Sequence, residues 1–173
     1  IAITASLATN YAKKGDHKFF IAIQTHKYSQ SFSYQFTKGE LSRDEEEAVV
    51  TKYIINALSV ACKVNQGIQD ETPNLKIEKV KAEKSWIKLV DNKIDYVSSS
   101  NHLPELIFPG SFNPFHSGHA EMSELAQKKT GLSPAYEICI QNADKPPLSY
   151  HEIQRTVLQF SQSYDWVLTK AGK

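Results

Sequence analysis

Phe108-Pro109-Gly110-Ser111-Phe112-Asn113-Pro114-Phe115-His116-Ser117-Gly118-His119 is the stretch that decides how the second half of this chain folds. Leu106–Pro109 opens it with the apolar character of a strand, and residues 118–129 follow with helical character, closed by Gly131, a residue type favoured just past a helix end. Between them Gly110 lets the backbone turn sharply off the strand, and Pro114 stiffens the loop. Ser111 and Phe112 are placed to present backbone N–H groups to an anion. His116-Ser117-Gly118-His119 falls at the helix start, where the dipole and the free N–H groups favour negative charge. Gly118 removes a side chain where a phosphate must approach, and His116 and His119, three apart, can face one phosphate chain.

Toward the C-terminus the elements alternate. Ala135–Gln141 reads as a buried strand, Ser149 and Glu152 form an S-x-x-E box that starts a helix running to about Tyr164, and Trp166–Thr169 is a third strand. Strand–helix–strand–helix–strand predicts right-handed crossovers and a parallel sheet.

Toward the N-terminus, Ile1–Thr4 reads as a short buried strand and Lys18–Thr25 as a strand buried on both faces. Tyr28–Phe36 alternates aromatic and serine residues, a half-buried strand that pairs with its predecessor through the tight connection His26-Lys27. Ser42 and Glu45 make a capping box, and Asp44–Glu47 place acids at the positive end of a helix with Val50, Tyr53, Ile54, Ala57, Leu58 and Ala61 on one face. Residues 66–75 read as a linker. Ile77–Lys81 predicts a strand, Ala82–Val90 a short helix with Trp86, Leu89 and Val90 inward, and Ile94–Ser98 another strand. The break at Ser98-Ser99-Ser100-Asn101 divides the chain into domains 1–100 and 101–173.

The composition is that of an ordinary globular protein: 173 residues, 40% hydrophobic and 23% charged, with a net charge of +1 that argues against nucleic acid or an acidic membrane as partner. No apolar run approaches the roughly 20 residues of a membrane span. Cys62 and Cys139 have no metal-binding spacing and are expected as buried thiols in a reducing compartment. With no targeting signal visible, the expected location is intracellular: cytoplasmic, or an organelle matrix after removal of a targeting peptide. The opening Ile1-Ala2-Ile3 reads as a strand without its preceding elements, hence as a fragment or a processed chain.

Gly110-Ser111-Phe112-Asn113-Pro114, followed by His116-Ser117-Gly118-His119, closely resembles the signature of the HxGH nucleotidyltransferase superfamily, written Gly-Ser/Thr-Phe-Asp-Pro and then His/Thr-x-Gly-His. The resemblance runs from about Leu103 to Lys170 and is best to the nicotinamide-nucleotide adenylyltransferase-like branch, through Asn142-Ala143-Asp144-Lys145-Pro146-Pro147-Leu148. It implies an α/β fold with a Rossmann-like parallel sheet, His116 and His119 as catalytic residues on the triphosphate, and Gly110, Ser111, Phe112, Asn113 and Gly118 as nucleotide-binding positions. Asn142, Lys145 and Arg155 would contact substrate or phosphate, Arg155 alternatively bracing its helix. The implied reaction moves AMP, or less readily CMP, from a nucleoside triphosphate carried with Mg²⁺ to a phosphorylated small molecule such as nicotinamide mononucleotide, releasing pyrophosphate. Asn113 stands where the family has Asp, so that position carries no charge. The family's closing Ile-Ser-Ser-Thr-x-Ile-Arg-like segment does not follow Thr169, so the expected sheet is the N-terminal half of an incomplete Rossmann-like domain. The front half resembles the later part of a CinA-like α/β domain, a family that includes nicotinamide-nucleotide amidases. Its Gly-rich Thr-Gly-Ile-Ala-Gly-Pro loop is replaced here by Thr4-Ala5-Ser6-Leu7-Ala8-Thr9, which implies a partial, degenerate domain.

The competing readings are simpler. His116 and His119 share the i,i+3 spacing of a zinc pair, but no third ligand lies near in sequence. His17, His26, His102 and His151 read as surface histidines, and Asp44–Glu47 as a helix-start feature. The alternative function is a catalytically inactive scaffold, two former enzyme domains serving in a homo-oligomer or a larger assembly.

Overall fold

The computed structural model describes residues 1–64, 73–100, 104–141, 146–160 and 163–170. The chain divides into two units, Ile1–Lys81 and Ala82–Lys173.

The front unit is a four-stranded antiparallel sheet in the order β1 (Ala2–Ser6), β2 (Lys18–Gln24), β3 (Tyr28–Gln35), β4 (Lys76–Lys81), with helix α1 (Arg43–Ala61) on one face. The β2–β3 hairpin closes where Thr25 N–H donates to Tyr28 O at 2.9 Å. The strand expected to be buried on both faces is buried on one: Phe19, Ile21 and Ile23 point into the core while Phe20 and Ala22 are exposed. An antiparallel sheet covered by one helix has a single dry side, so period two prevails over a continuous apolar run. β1, expected buried, is an exposed edge strand.

α1 begins as its sequence dictates. Ser42 Oγ accepts Glu45 N–H at 3.3 Å and the Glu45 carboxylate accepts Ser42 N–H at 2.7 Å. The Ser42 backbone and then its hydroxyl hold the Glu45 carboxyl below its ordinary value. Val50, Tyr53 and Ala57 enter the core, where the Tyr53 and Phe19 rings lie 5.5 Å apart. Glu46 departs from the helix-start role. It is fully buried, and its Oε2 accepts the N–H of Ala8 at 2.6 Å while Oε1 meets His17 Nδ1 at 2.8 Å. His17 is therefore an interior residue rather than a surface one.

The rear unit is a sheet in the order β5 (Tyr96–Ser98), β8 (Asp165–Thr169), β7 (Pro134–Cys139), β6 (Leu106–Pro109). β6, β7 and β8 run parallel, joined by α3 (Ser117–Thr130) and α4 (Tyr150–Leu158). β5 is antiparallel to β8, and α2 (Lys84–Val90) buries Trp86 against Tyr150, their rings stacked at 6.2 Å. Residues 82–98, read from the sequence with the front half, thus pack with the rear unit. Pro109 tolerates its place because it ends an edge strand.

α4 starts on the Ser149–Glu152 capping box but ends at Leu158, not near Tyr164. The turn tightens there, with Phe160 N–H donating to Val157 O at 3.0 Å, and Phe160 drops into the core, stacked on Tyr136 at 4.9 Å. Neither cysteine is buried as expected: Cys62 is exposed beyond α1, Cys139 is half-buried, and both are free thiols.

From its buried position Glu46 holds both the Ala8 N–H and the His17 ring. Glu46→Ala is expected to lower the stability of the front unit by roughly 2–3 kcal/mol, the scale of losing charged hydrogen bonds to buried groups, as read by denaturant unfolding. Glu46→Gln, which keeps the shape and one acceptor, should lose less.

Candidate nucleotide site

The loop between β6 and α3 is built around one ring. Phe112 has a φ of 45°, and its side chain is 2% exposed. That ring meets Phe108 at 6.0 Å, His119 at 5.1 Å, Tyr136 at 5.3 Å, Phe160 at 5.3 Å and Phe115 at 6.2 Å. Edge-to-face pairs of this kind add about 0.5–1.5 kcal/mol each beyond area burial. Only the backbone of Phe112 can therefore face a ligand.

Both glycines of the motif serve rings. A Cβ on Gly110 would lie 2.6 Å from Phe112 Cζ, so glycine here answers a close approach. A Cβ on Gly118 would lie 3.2 Å from His116 Nδ1, and the space that Gly118 leaves open beside the first turn is taken by the His116 imidazole. Gly110 N–H donates to Glu137 O at 3.1 Å and carries the β6–β7 ladder one residue further.

His116 is the N-cap of α3 and His119 lies in its first turn. Their rings stack at 3.7 Å with an interplanar angle of 27°, so the two imidazoles converge. The His119 ring also packs on Phe115 at 5.5 Å. Its Nδ1 accepts His116 N–H at 3.2 Å, which assigns the neutral tautomer with the proton on Nε2. Burial, and secondarily the adjacent His116, lower the His119 pKa from its ordinary value. His119 is thus a neutral donor whose acceptor nitrogen is already occupied.

Two residues of the second crossover hold the loop. Gln159 accepts Phe115 N–H at 2.8 Å and donates from Nε2 to Phe112 O at 3.0 Å. Arg155 Nη2 donates to Asn113 Oδ1 at 3.2 Å, which ties α4 to the loop. Gln159 carried no signal in the sequence, because its role depends on two carbonyl-to-amide distances across the fold. Asn142 and Lys145 lie outside the described residues.

A cavity of about 300 Å³ opens at the carboxyl ends of β6 and β7, lined by Gly110, Ser111, Glu137, Cys139, Gln141 and Leu148 among others. This is where open parallel sheets place their ligands. The Glu137 carboxylate accepts the Thr169 hydroxyl. Ser111 adjoins the cavity, whereas His116 and His119 stand outside it at the helix mouth. Among the described lining residues there is no lysine or arginine.

The comparison with known families gives one match. Residues 107–170 match the cytidylyltransferase-like family. The match spans β6 through β8, the parallel strands and the loop described above, and supports the nucleotidyltransferase resemblance. No curated protein and no solved structure matches the chain.

Two outcomes are expected. Gly110→Ala must displace the Phe112 ring and should lower rear-unit stability by about 1–3 kcal/mol, the cost of overpacking a filled site. In an NMR titration without ligand, His119 should protonate at a lower pH than an ordinary imidazole. Adding a triphosphate should raise that pKa, because a nearby anion favours the imidazolium form.

Proposed function

We propose that the rear unit is a nucleotidyltransferase that moves AMP, or less readily CMP, to a phosphorylated small molecule such as nicotinamide mononucleotide. The observation that carries this reading is the stacked imidazole pair at the mouth of α3, with His119 Nδ1 engaged by His116 N–H. His119 Nε2–H and the first free N–H groups of the helix are then donors for a triphosphate, helped by the positive end of the helix dipole. A phosphate oxygen of the acceptor attacks the α-phosphorus, the bond to the bridging oxygen breaks, and pyrophosphate departs with the electron pair. Negative charge grows on the departing group, and fixed donors that meet it lower the barrier.

The acceptor would occupy the cavity beside Gly110 and Ser111, with Asn142 and Lys145 assigned to the substrate side by resemblance. Gln159 is a positioning residue, since it acts through the loop. Mg²⁺ accompanies triphosphates in this chemistry, but the protein side does not fit a cation cage. No group of three His, Cys, Asp or Glu side chains converges among the described residues, and Asn113 Oδ1 is turned to Arg155. The cation would arrive on the nucleotide. No helix among the described residues is long and apolar enough to cross a membrane.

The second reading, an inactive scaffold, is favoured by the neutral Asn113. One assay separates the two. The full chain incubated with ATP or CTP, Mg²⁺ and a panel of phosphorylated acceptors should release pyrophosphate, and His119→Ala should slow that release by about 10²–10³-fold, the loss seen when one such donor is removed. No pyrophosphate with any acceptor, together with unchanged nucleotide affinity in His119→Ala, overturns the enzyme reading.

A further inference from the structure

Helix α1 is apolar on two sides. Val50, Tyr53 and Ala57 enter the core of the front unit. Ala48, Thr51, Ile55, Leu58 and Cys62, each three or four residues from the next, run along the opposite side as one continuous stripe. All five are exposed, Ile55 by 59% and Leu58 by 41%. A helix that covers one sheet needs one apolar face, and a second apolar stripe is the mark of an element packed on both sides. The stripe itself carries no charge. Asp44 stands in line with it one turn before Ala48, and Lys52 borders its middle. A lysine stem there covers apolar surface while its ammonium stays in water.

The stripe is symmetrical in position and complementary in size. About Tyr53 as its middle, Thr51 and Ile55 lie two residues to either side, Ala48 and Leu58 five, and Asp44 and Cys62 nine. A second α1 laid antiparallel across a two-fold axis therefore sets each small side chain against a large one, Ala48 opposite Leu58 and Thr51 opposite Ile55. Facing layers that alternate large and small interdigitate without voids, and a two-fold contact makes each such pair twice. The charges agree with the same direction. Asp44 of one copy comes to the end where Lys63 of the other is exposed, and the two helix dipoles run opposite ways. A parallel pair would set Leu58 on Leu58, leave a gap between the two Ala48 side chains, and bring Asp44 against Asp44.

We propose that the outer face of α1 is a self-association surface, on which α1 of a second copy of this chain packs antiparallel with Ile55 and Leu58 as its anchors. Each front unit then places its sheet outside and its helix inside, and the apolar stripe is covered by its own counterpart. A helix of 19 residues presents a face about 28 Å long and about 10 Å wide. That is smaller than the roughly 800 Å² per partner of a stable interface, so the association is weak and depends on concentration.

The inference is independent of the nucleotidyltransferase reading and is tested apart from it. Sedimentation of the full chain at concentrations up to about 1 mM should show a reversible monomer–dimer equilibrium. Ile55→Glu should raise its dissociation constant by at least about tenfold, because the interface would bury a carboxylate without a partner. Circular dichroism and the denaturant midpoint check that this variant is folded. A cross-link tests the register. Within one copy, positions 44 and 62 lie about 27 Å apart along α1, whereas a disulfide needs Cα atoms within about 7 Å. Asp44→Cys in a Cys139→Ser background, treated with oxidised glutathione, should therefore yield a covalent dimer whose peptide map joins position 44 of one copy to Cys62 of the other. The proposal is overturned if the chain stays monomeric throughout, if folded Ile55→Glu dimerises as the parent does, or if a dimer forms without the 44–62 link. Where Ile55→Glu fails to fold, the cross-link decides.

Discussion

One aromatic ring determines the shape of the candidate site. Phe112 sits beneath the β6–α3 loop among Phe108, Phe115, His119, Tyr136 and Phe160, and every other feature of the loop adjusts to it. Gly110 is glycine because the ring passes close to it. Phe112 takes a φ of 45° so that its side chain turns inward while the backbone stays at the surface. The ring also supports one edge of the His119 imidazole, so the placing of that imidazole and the hydrophobic packing depend on the same atoms. Sites built on locked rotamers hold their donors more accurately than sites on free loops.

The residues legible in the sequence were those whose partners are near in the chain. Both S-x-x-E capping boxes formed as read, at Ser42–Glu45 and Ser149–Glu152, because a cap needs only its own first turn. The β2–β3 hairpin and the three parallel strands followed from period and punctuation. The rest required tertiary information. Glu46 has the composition of a helix-start acid, and only the approach of Ala8 and His17 makes it interior. The antiparallel pairing of β5 with β8 joins residues that the serine-rich break at Ser98–Ser100 separates in sequence. Burial was overestimated for β1 and β2 because an apolar run does not reveal how many faces of its sheet are covered.

Among the described residues, the polar groups at the mouth of α3 are imidazoles, a helix terminus and backbone amides. Such groups carry little net charge and act through direction. Donors of this kind act at close range and do not draw anions from a distance, as a lysine cluster does. The neutral state of His119 fits this character, since a hydrogen-bond donor that carries no full charge stabilises an oxyanion through alignment.

The contact between Arg155 and Asn113 has a further consequence. An amide oxygen keeps its lone pairs at any pH that a folded protein meets, whereas a carboxylate at the same place would be neutralised as acid titrates it near pH 4. The tether from the second crossover helix to the β6–α3 loop is therefore acid-proof. It trades the strength of an ion pair for a grip that does not loosen as protons accumulate.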